Sequence, residues 1–141
     1  MDQESIVYGC IKDYGQGANR AERRRANREA MLSLPSGDDW LLLHKDMFAI
    51  PSVEDWSGQY QTEVMHFGAS YRAVEYEWEQ WIASFENLLR KMYWVSATVH
   101  LETELSGTHT FNWTSLSDSH VPGSGNVQVK CEWSRESVIA F

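Results

Sequence analysis

His100, Glu102 and His109 are the residues whose types and spacing first suggest chemistry, because two imidazoles and a carboxylate brought together on one strand face can hold a metal ion. No second cluster of ligands accompanies them, so the expectation is no metal and no cofactor. His44 and Asp46 lie two apart and, on a strand, would share a face as a histidine–carboxylate pair, with His66 on the neighbouring strand. A hydrolase needs a nucleophile and an oxyanion-binding loop besides. The chain contains no G-x-S-x-G, phosphate loop, dinucleotide fingerprint or H-E-x-x-H. The expectation is therefore that there are no catalytic residues and that the histidines are hydrogen-bonded or solvated. Gly15-Gln16-Gly17 precedes a helical stretch without the spacing of a phosphate cradle, and reads as a turn. Cys10 and Cys131 form no C-x-x-C pair and read as two reduced thiols.

Charge narrows the classes further. The 141-residue chain carries a formal net charge of -8. Residues 20–28 hold five arginines and one glutamate, a local +4, so the rest of the chain carries -12 (-8 minus +4). An acidic body repels phosphate, which argues against general nucleic-acid binding and leaves the arginine run to touch an anionic partner or simply to face water. No apolar run approaches the roughly 18–20 residues that span a bilayer. Met1-Asp2-Gln3-Glu4 is acidic and leads into no signal-type stretch, so a cytoplasmic protein without a membrane partner is expected.

The length suits one domain, 1–141, and seven Trp, six Tyr and five Phe provide enough area for a core without disulfide or metal staples. Ser5–Ile11 is β-branched and aromatic and reads as a strand. Ala18–Leu34 is rich in helix formers, with Ala26, Ala30 and Leu34 on a thin apolar stripe ended by Pro35-Ser36-Gly37. Trp40–Ile50 and Tyr60–Ala73 read as strands, the latter with Met65, Phe67, Ala69 and Tyr71 on one face. Trp78, Trp81, Ile82, Phe85, Leu88, Leu89 and Met92 recur at helical spacing, predicting a helix over 75–92 whose tryptophans are core. Val95 to Leu101 alternates, Ser106-Gly107 turns, Thr108–Ser115 returns, 115–126 is a loop, and Val127–Trp133 closes as a last strand. The order is β-α-β-β-α-β-β-β: an α+β fold with a mainly antiparallel sheet, two helices packed on one face, and a start resembling the ferredoxin-like order.

If Ser106 and Gly107 are the two central turn residues, Leu101, Thr103 and Leu105 point inward with Asn112, Thr110 and Thr108. The opposite face then carries His100, Glu102 and Glu104 beside His109, Phe111 and Trp113. Large aromatics among acids on an open face make a partner-binding patch, with Trp56 on the polar loop as a further anchor. One residue more in the turn moves Phe111 and Trp113 into the core instead.

Phe67-Gly68-Ala69-Ser70-Tyr71, Glu75-Tyr76-Glu77-Trp78-Glu79-Gln80-Trp81 and Phe85-Glu86-Asn87-Leu88-Leu89, with the hairpin of Trp94–Glu104 and Thr108–Trp113, resemble the small immunity proteins of bacterial polymorphic toxin systems, such as those of type VI secretion or contact-dependent inhibition. The resemblance covers about residues 60–115. It implies an inhibitor, monomeric or homodimeric, that masks a cognate protein toxin. A basic toxin would suit the carboxylates at Asp38, Asp39, Glu54, Asp55, Glu63, Glu75, Glu77 and Glu79. Two other functions fit the sequence: an enzyme or small-molecule binder built on His44, Asp46 and His66, or a scaffold subunit that associates through the hairpin.

Overall fold

The computed structural model describes residues 4–14, 19–35, 43–49, 62–104, 106–115, 119–123 and 128–132. The chain runs β1 (Glu4–Tyr14), α1 (Arg20–Leu32), β2 (Thr62–Arg72), α2 (Trp78–Arg90), β3 (Ser96–Thr103), β4 (Gly107–Thr114), and a short β5 (Gln128–Glu132). The sheet is antiparallel throughout, in the order β2-β1-β3-β4-β5. The α+β class stands, but the element order is β-α-β-α-β-β, extended by β5, instead of β-α-β-β-α-β-β-β. The strand expected over Trp40–Ile50 is absent from the described part of that stretch. Lys45–Met47 form a 3-10 turn, and Phe48 makes a single bridge to Phe67. The poor alternation of that segment reflects side chains, Leu43, Met47 and Phe48, that plug the core from a loop. Losing this strand leaves β2 and β3, each antiparallel to β1, parallel to one another and joined by α2 across it: a split β-α-β unit around β1.

Strand alternation and the burial pattern agree on which face is inside. Ser5, Val7, Ile11 and Asp13 of β1 are buried, as are Met65 and Phe67 of β2, Ala97, Val99, Leu101 and Thr103 of β3, and Trp113 of β4. Both helices lie on that face. From α2, Trp81, Phe85, Leu88 and Leu89 are buried, and Phe85 meets Phe67 at 5.3 Å and Trp113 at 5.0 Å between ring centroids. The tryptophan stripe is therefore core, as its spacing requires. The helix proper starts at Trp78, after a 3-10 turn over Val74–Glu77. That turn begins at Ala73, whose positive φ of 54° is followed by a hydrogen bond from Val74 N–H to the buried Ser5 Oγ at 2.9 Å.

α1 docks by a different chemistry. Its buried residues are Arg23, Asn27, Ala30 and Met31, so the expected stripe of Ala26, Ala30 and Leu34 is rotated toward two polar side chains. Arg23 donates through Nε to Asp13 Oδ2 at 3.1 Å and through Nη2 to Asp13 Oδ1. Its guanidinium stacks on the Tyr93 ring at 4.7 Å and lies 5.5 Å from that of Tyr14. Asn27 accepts from Tyr93 N–H at 2.7 Å and donates to Tyr93 C=O at 2.8 Å, pairing both backbone groups of the α2–β3 connection. Within the expected loop 115–126, His120 is buried, exchanges backbone hydrogen bonds with Trp94, and stacks on its indole at 5.0 Å.

Candidate functional site

The face of the sheet away from the helices is the surface that the described residues leave uncovered. Directly opposed residues share a face, so the register reads as rows across the strands. One central row is Gly68, Tyr8, His100, Thr110, Glu132; the next is His66, Cys10, Thr98, Asn112, Lys130. Ser70, Ile6, Glu102 and Thr108 lie beyond the first row, and Val64, Lys12, Ser96 and Thr114 beyond the second.

These side chains are ordered by contacts with one another. Tyr8 stacks on His100 at 4.9 Å with 29° between the planes. His100 Nδ1 lies 2.9 Å from Thr110 Oγ1, and Thr98 Oγ1 donates to Asn112 Oδ1 at 2.8 Å. Gly68 opposite Tyr8 leaves the ring's flank open, with Tyr8 Cβ 3.5 Å from where a glycine Cβ would stand. Tyr8 and Val64 each keep 39% of their surface exposed. The result is a face of ordered aromatic and hydroxyl side chains, of the kind that can meet a macromolecular surface.

The sequence-derived patch is only partly here. His100 is half-buried on this face, Glu102 is exposed on it, and Glu104 is exposed in the turn at its end. The expected placement of His109, Phe111 and Trp113 is corrected. The register pairs Thr103 with Gly107, leaving three residues in the turn instead of two, so these three side chains move to the helix-covered face. Gly107 takes a positive φ of 78°, which suits the end of a three-residue hairpin loop. Thr103 Oγ1 accepts from Ser106 N–H at 2.9 Å and fixes that loop. Trp113 is fully buried, donating to Glu86 Oε2 at 3.0 Å, and half-buried Phe111 packs against Trp78 at 5.2 Å. His109 Nε2 lies 3.1 Å from Ser106 Oγ. Trp56 lies outside the described residues, as do Asp38, Asp39, Glu54 and Asp55.

The chemical alternatives fare as follows. His100 and Glu102 point away from the face that carries His109, so these three do not converge, and no group of three metal-ligating side chains occurs among the described residues. His44 is half-buried ahead of the 3-10 turn, Asp46 is exposed on it, and His66 is exposed on the open sheet face. The strand that was to align His44 with Asp46 is not formed. A shallow depression at the entry to α2 is lined by Glu75, Tyr76, Glu77, Trp78, Glu79 and Gln80, with Tyr76 75% exposed among the carboxylates. Glu63 opposes Asp13 in register and lies 3.5 Å from Arg24. Burial pushes its carboxyl above the ordinary glutamate value, Arg24 opposes that shift and Asp13 adds to it.

Sequence reasoning missed Tyr8, Thr98, Thr110 and Asn112 as face residues, and the Asp13–Arg23 pair as a core feature. In β1 both alternating sets, Ser5-Val7-Gly9-Ile11-Asp13 and Ile6-Tyr8-Cys10-Lys12-Tyr14, mix apolar and polar types, so alternation could not choose between them. No helix of the described residues is long and apolar enough to cross a membrane. Compared with protein-family models, with curated proteins and with solved structures, the chain matches none of them.

Proposed function

We propose that the chain is a protein-binding inhibitor of the immunity type, which covers the active site of a cognate, basic bacterial toxin and performs no catalysis itself. The observation that carries this reading is the open sheet face, whose Tyr8–His100 stack and His100–Thr110 and Thr98–Asn112 pairs present an ordered, partly apolar surface. Rigid aromatic and hydrogen-bonding groups already held in place lose little freedom when a partner docks, and so favour tight binding. Tyr8, His100 and Glu102 replace Phe111 and Trp113 as the anchors.

A basic partner fits the net charge of -8 and the carboxylates around Tyr76 at the start of α2. Complementary charge raises the rate of encounter, as an inhibitor that must intercept a toxin inside its producing cell requires. The test is co-purification with the products of adjacent genes, followed by assay of the captured toxin. A stoichiometric, inhibited complex is expected, and Tyr8→Ala should weaken it by about 2 kcal/mol if Tyr8 is a hot spot. Absence of any tight partner, or a partner indifferent to both Tyr8→Ala and Glu102→Lys, rejects the reading.

A further inference from the structure

The charges on the open face are arranged along the strands. On β2, β1, β3 and β4 the two central rows hold no Asp, Glu, Lys or Arg, and at the β5 edge their register continues to Glu132 and Lys130. Lys12 stands in the row at one end, between Val64 and Ser96. Glu102 stands in the row at the other end, with Glu104 exposed in the turn beyond it. Glu4 and Arg72 oppose one another in register at that same end and offset each other, leaving it net acidic. Over β2, β1, β3 and β4 the face therefore has a basic end, a centre without Asp, Glu, Lys or Arg, and an acidic end.

We propose that this face is also a self-association surface, on which a second copy of the chain stacks about a two-fold axis running across the strands. That axis reverses the strand direction, so Lys12 of each copy meets the level of Glu102 of the other, Glu132 of each copy meets the level of Lys130 of the other, and the Tyr8–His100 centres meet in the middle. A two-fold along the strands would set Lys12 against Lys12 and Glu102 against Glu102, which like-charge repulsion disfavours. Lys12 and Glu102 sit on adjacent strands, ~4.8 Å apart, and stacked sheets lie ~10 Å apart, a gap that a lysine and a glutamate side chain span together. An isologous contact needs such a self-complementary patch.

Size sets the strength. Four strands at ~4.8 Å spacing and about eight residues at ~3.4 Å give roughly 500 Å² per copy, or roughly 1,000 Å² in total. That lies at the lower bound for a specific interface and defines a weak, reversible dimer. A tight partner would displace it, so the same face serves both roles in turn.

Sedimentation equilibrium on the chain alone, from about 1 to 200 µM at low salt, tests this. The wild-type mass should rise toward twice the monomer mass, and added salt should lower it. Lys12→Glu and Glu102→Lys should each weaken the dimer about tenfold or more, and the combined swap should return it to within about threefold of wild type. Both side chains are exposed, and circular dichroism checks that each variant stays folded. A monomer throughout, a dimer unmoved by the single changes, or a double variant no better than the singles overturns the proposal. The partner is absent from this experiment, so a monomeric result leaves the inhibitor reading standing. A salt-sensitive dimer with no protein partner would sink that reading alone.

Discussion

Replacing Trp113 by alanine separates a core tryptophan from a surface anchor. The side chain is fully buried, packs edge-on against Phe85 and donates to Glu86 Oε2. A buried tryptophan removes up to about 250 Å² from water, which at ~25 cal/mol per Å² sets an upper bound of about 6 kcal/mol. Partial collapse of the cavity brings such truncations to about 3–5 kcal/mol. Losing the indole donor adds little, because half-buried Glu86 can take water in its place. We expect a loss of about 4 kcal/mol, a large part of the roughly 5–15 kcal/mol that a domain has. Urea unfolding followed by circular dichroism measures it, with the slope checked against wild type. Tyr8→Ala, on the open face, should cost about 1 kcal/mol or less. If Trp113→Ala loses less than about 1.5 kcal/mol with an unchanged slope, or if Tyr8→Ala costs as much as Trp113→Ala, the hairpin register and the choice of inner face are both wrong.

Three further outcomes follow from buried polar groups and close contacts. Arg23→Met strands the Asp13 carboxylate in the core and should cost about 3–5 kcal/mol, whereas Asp13→Leu combined with Arg23→Met should recover most of it in the same unfolding assay. Gly9→Ala should be at least as damaging as a large core truncation, because an added Cβ would stand 2.0 Å from the Thr98 carbonyl oxygen and 3.0 Å from the Phe67 ring; a soluble, fully stable variant would refute the β1–β3 packing. Glu63 has its carboxyl raised by burial, so its contribution to stability is complete below the ordinary glutamate value and is lost as the pH rises through the raised folded value. Glu63→Gln should accordingly gain stability relative to wild type between acidic and neutral pH in thermal melts, and a gap that narrows or reverses over that range would contradict the assignment.

The strongly periodic elements were legible in the sequence. The α2 tryptophan stripe and the inward set Ala97, Val99 and Leu101 needed only burial on one face to be read, and both lie where their spacing requires. Met65, Phe67, Ala69 and Tyr71 of β2 likewise share the inner face. What could not be read depended on one residue of register or on a distant partner. Ser106-Gly107 resembles the centre of a two-residue turn, but the Thr103 hydroxyl captures Ser106 N–H and Gly107 becomes the first residue of β4. That shift exchanges the faces of β4 and with them half of the candidate patch. Arg23 looked like part of a solvated basic face because nothing in its neighbourhood announces Asp13, which sits ten residues earlier on a strand. Trp40–Ile50 has the composition of a strand, yet its described residues deliver Leu43, Met47 and Phe48 to the core from a turn.

The same misreadings explain why the surface survives as a candidate after two of its intended anchors were lost to the core. Moving Phe111 and Trp113 inward fills the space between α2 and the sheet, so the apolar needs of the fold are met on one side alone. Polar links perform the docking of α1: Arg23 to Asp13, and Asn27 to both backbone groups of Tyr93. With both helices fixed to the inner face, the outer face has no described element to support, and its residues bond across strands to each other. Tyr8 on His100, His100 to Thr110 and Thr98 to Asn112 cost conformational freedom without burying a core. A surface ordered in that way has already lost the freedom that docking would otherwise remove, which is the physical reason to look there for the anchors of a partner.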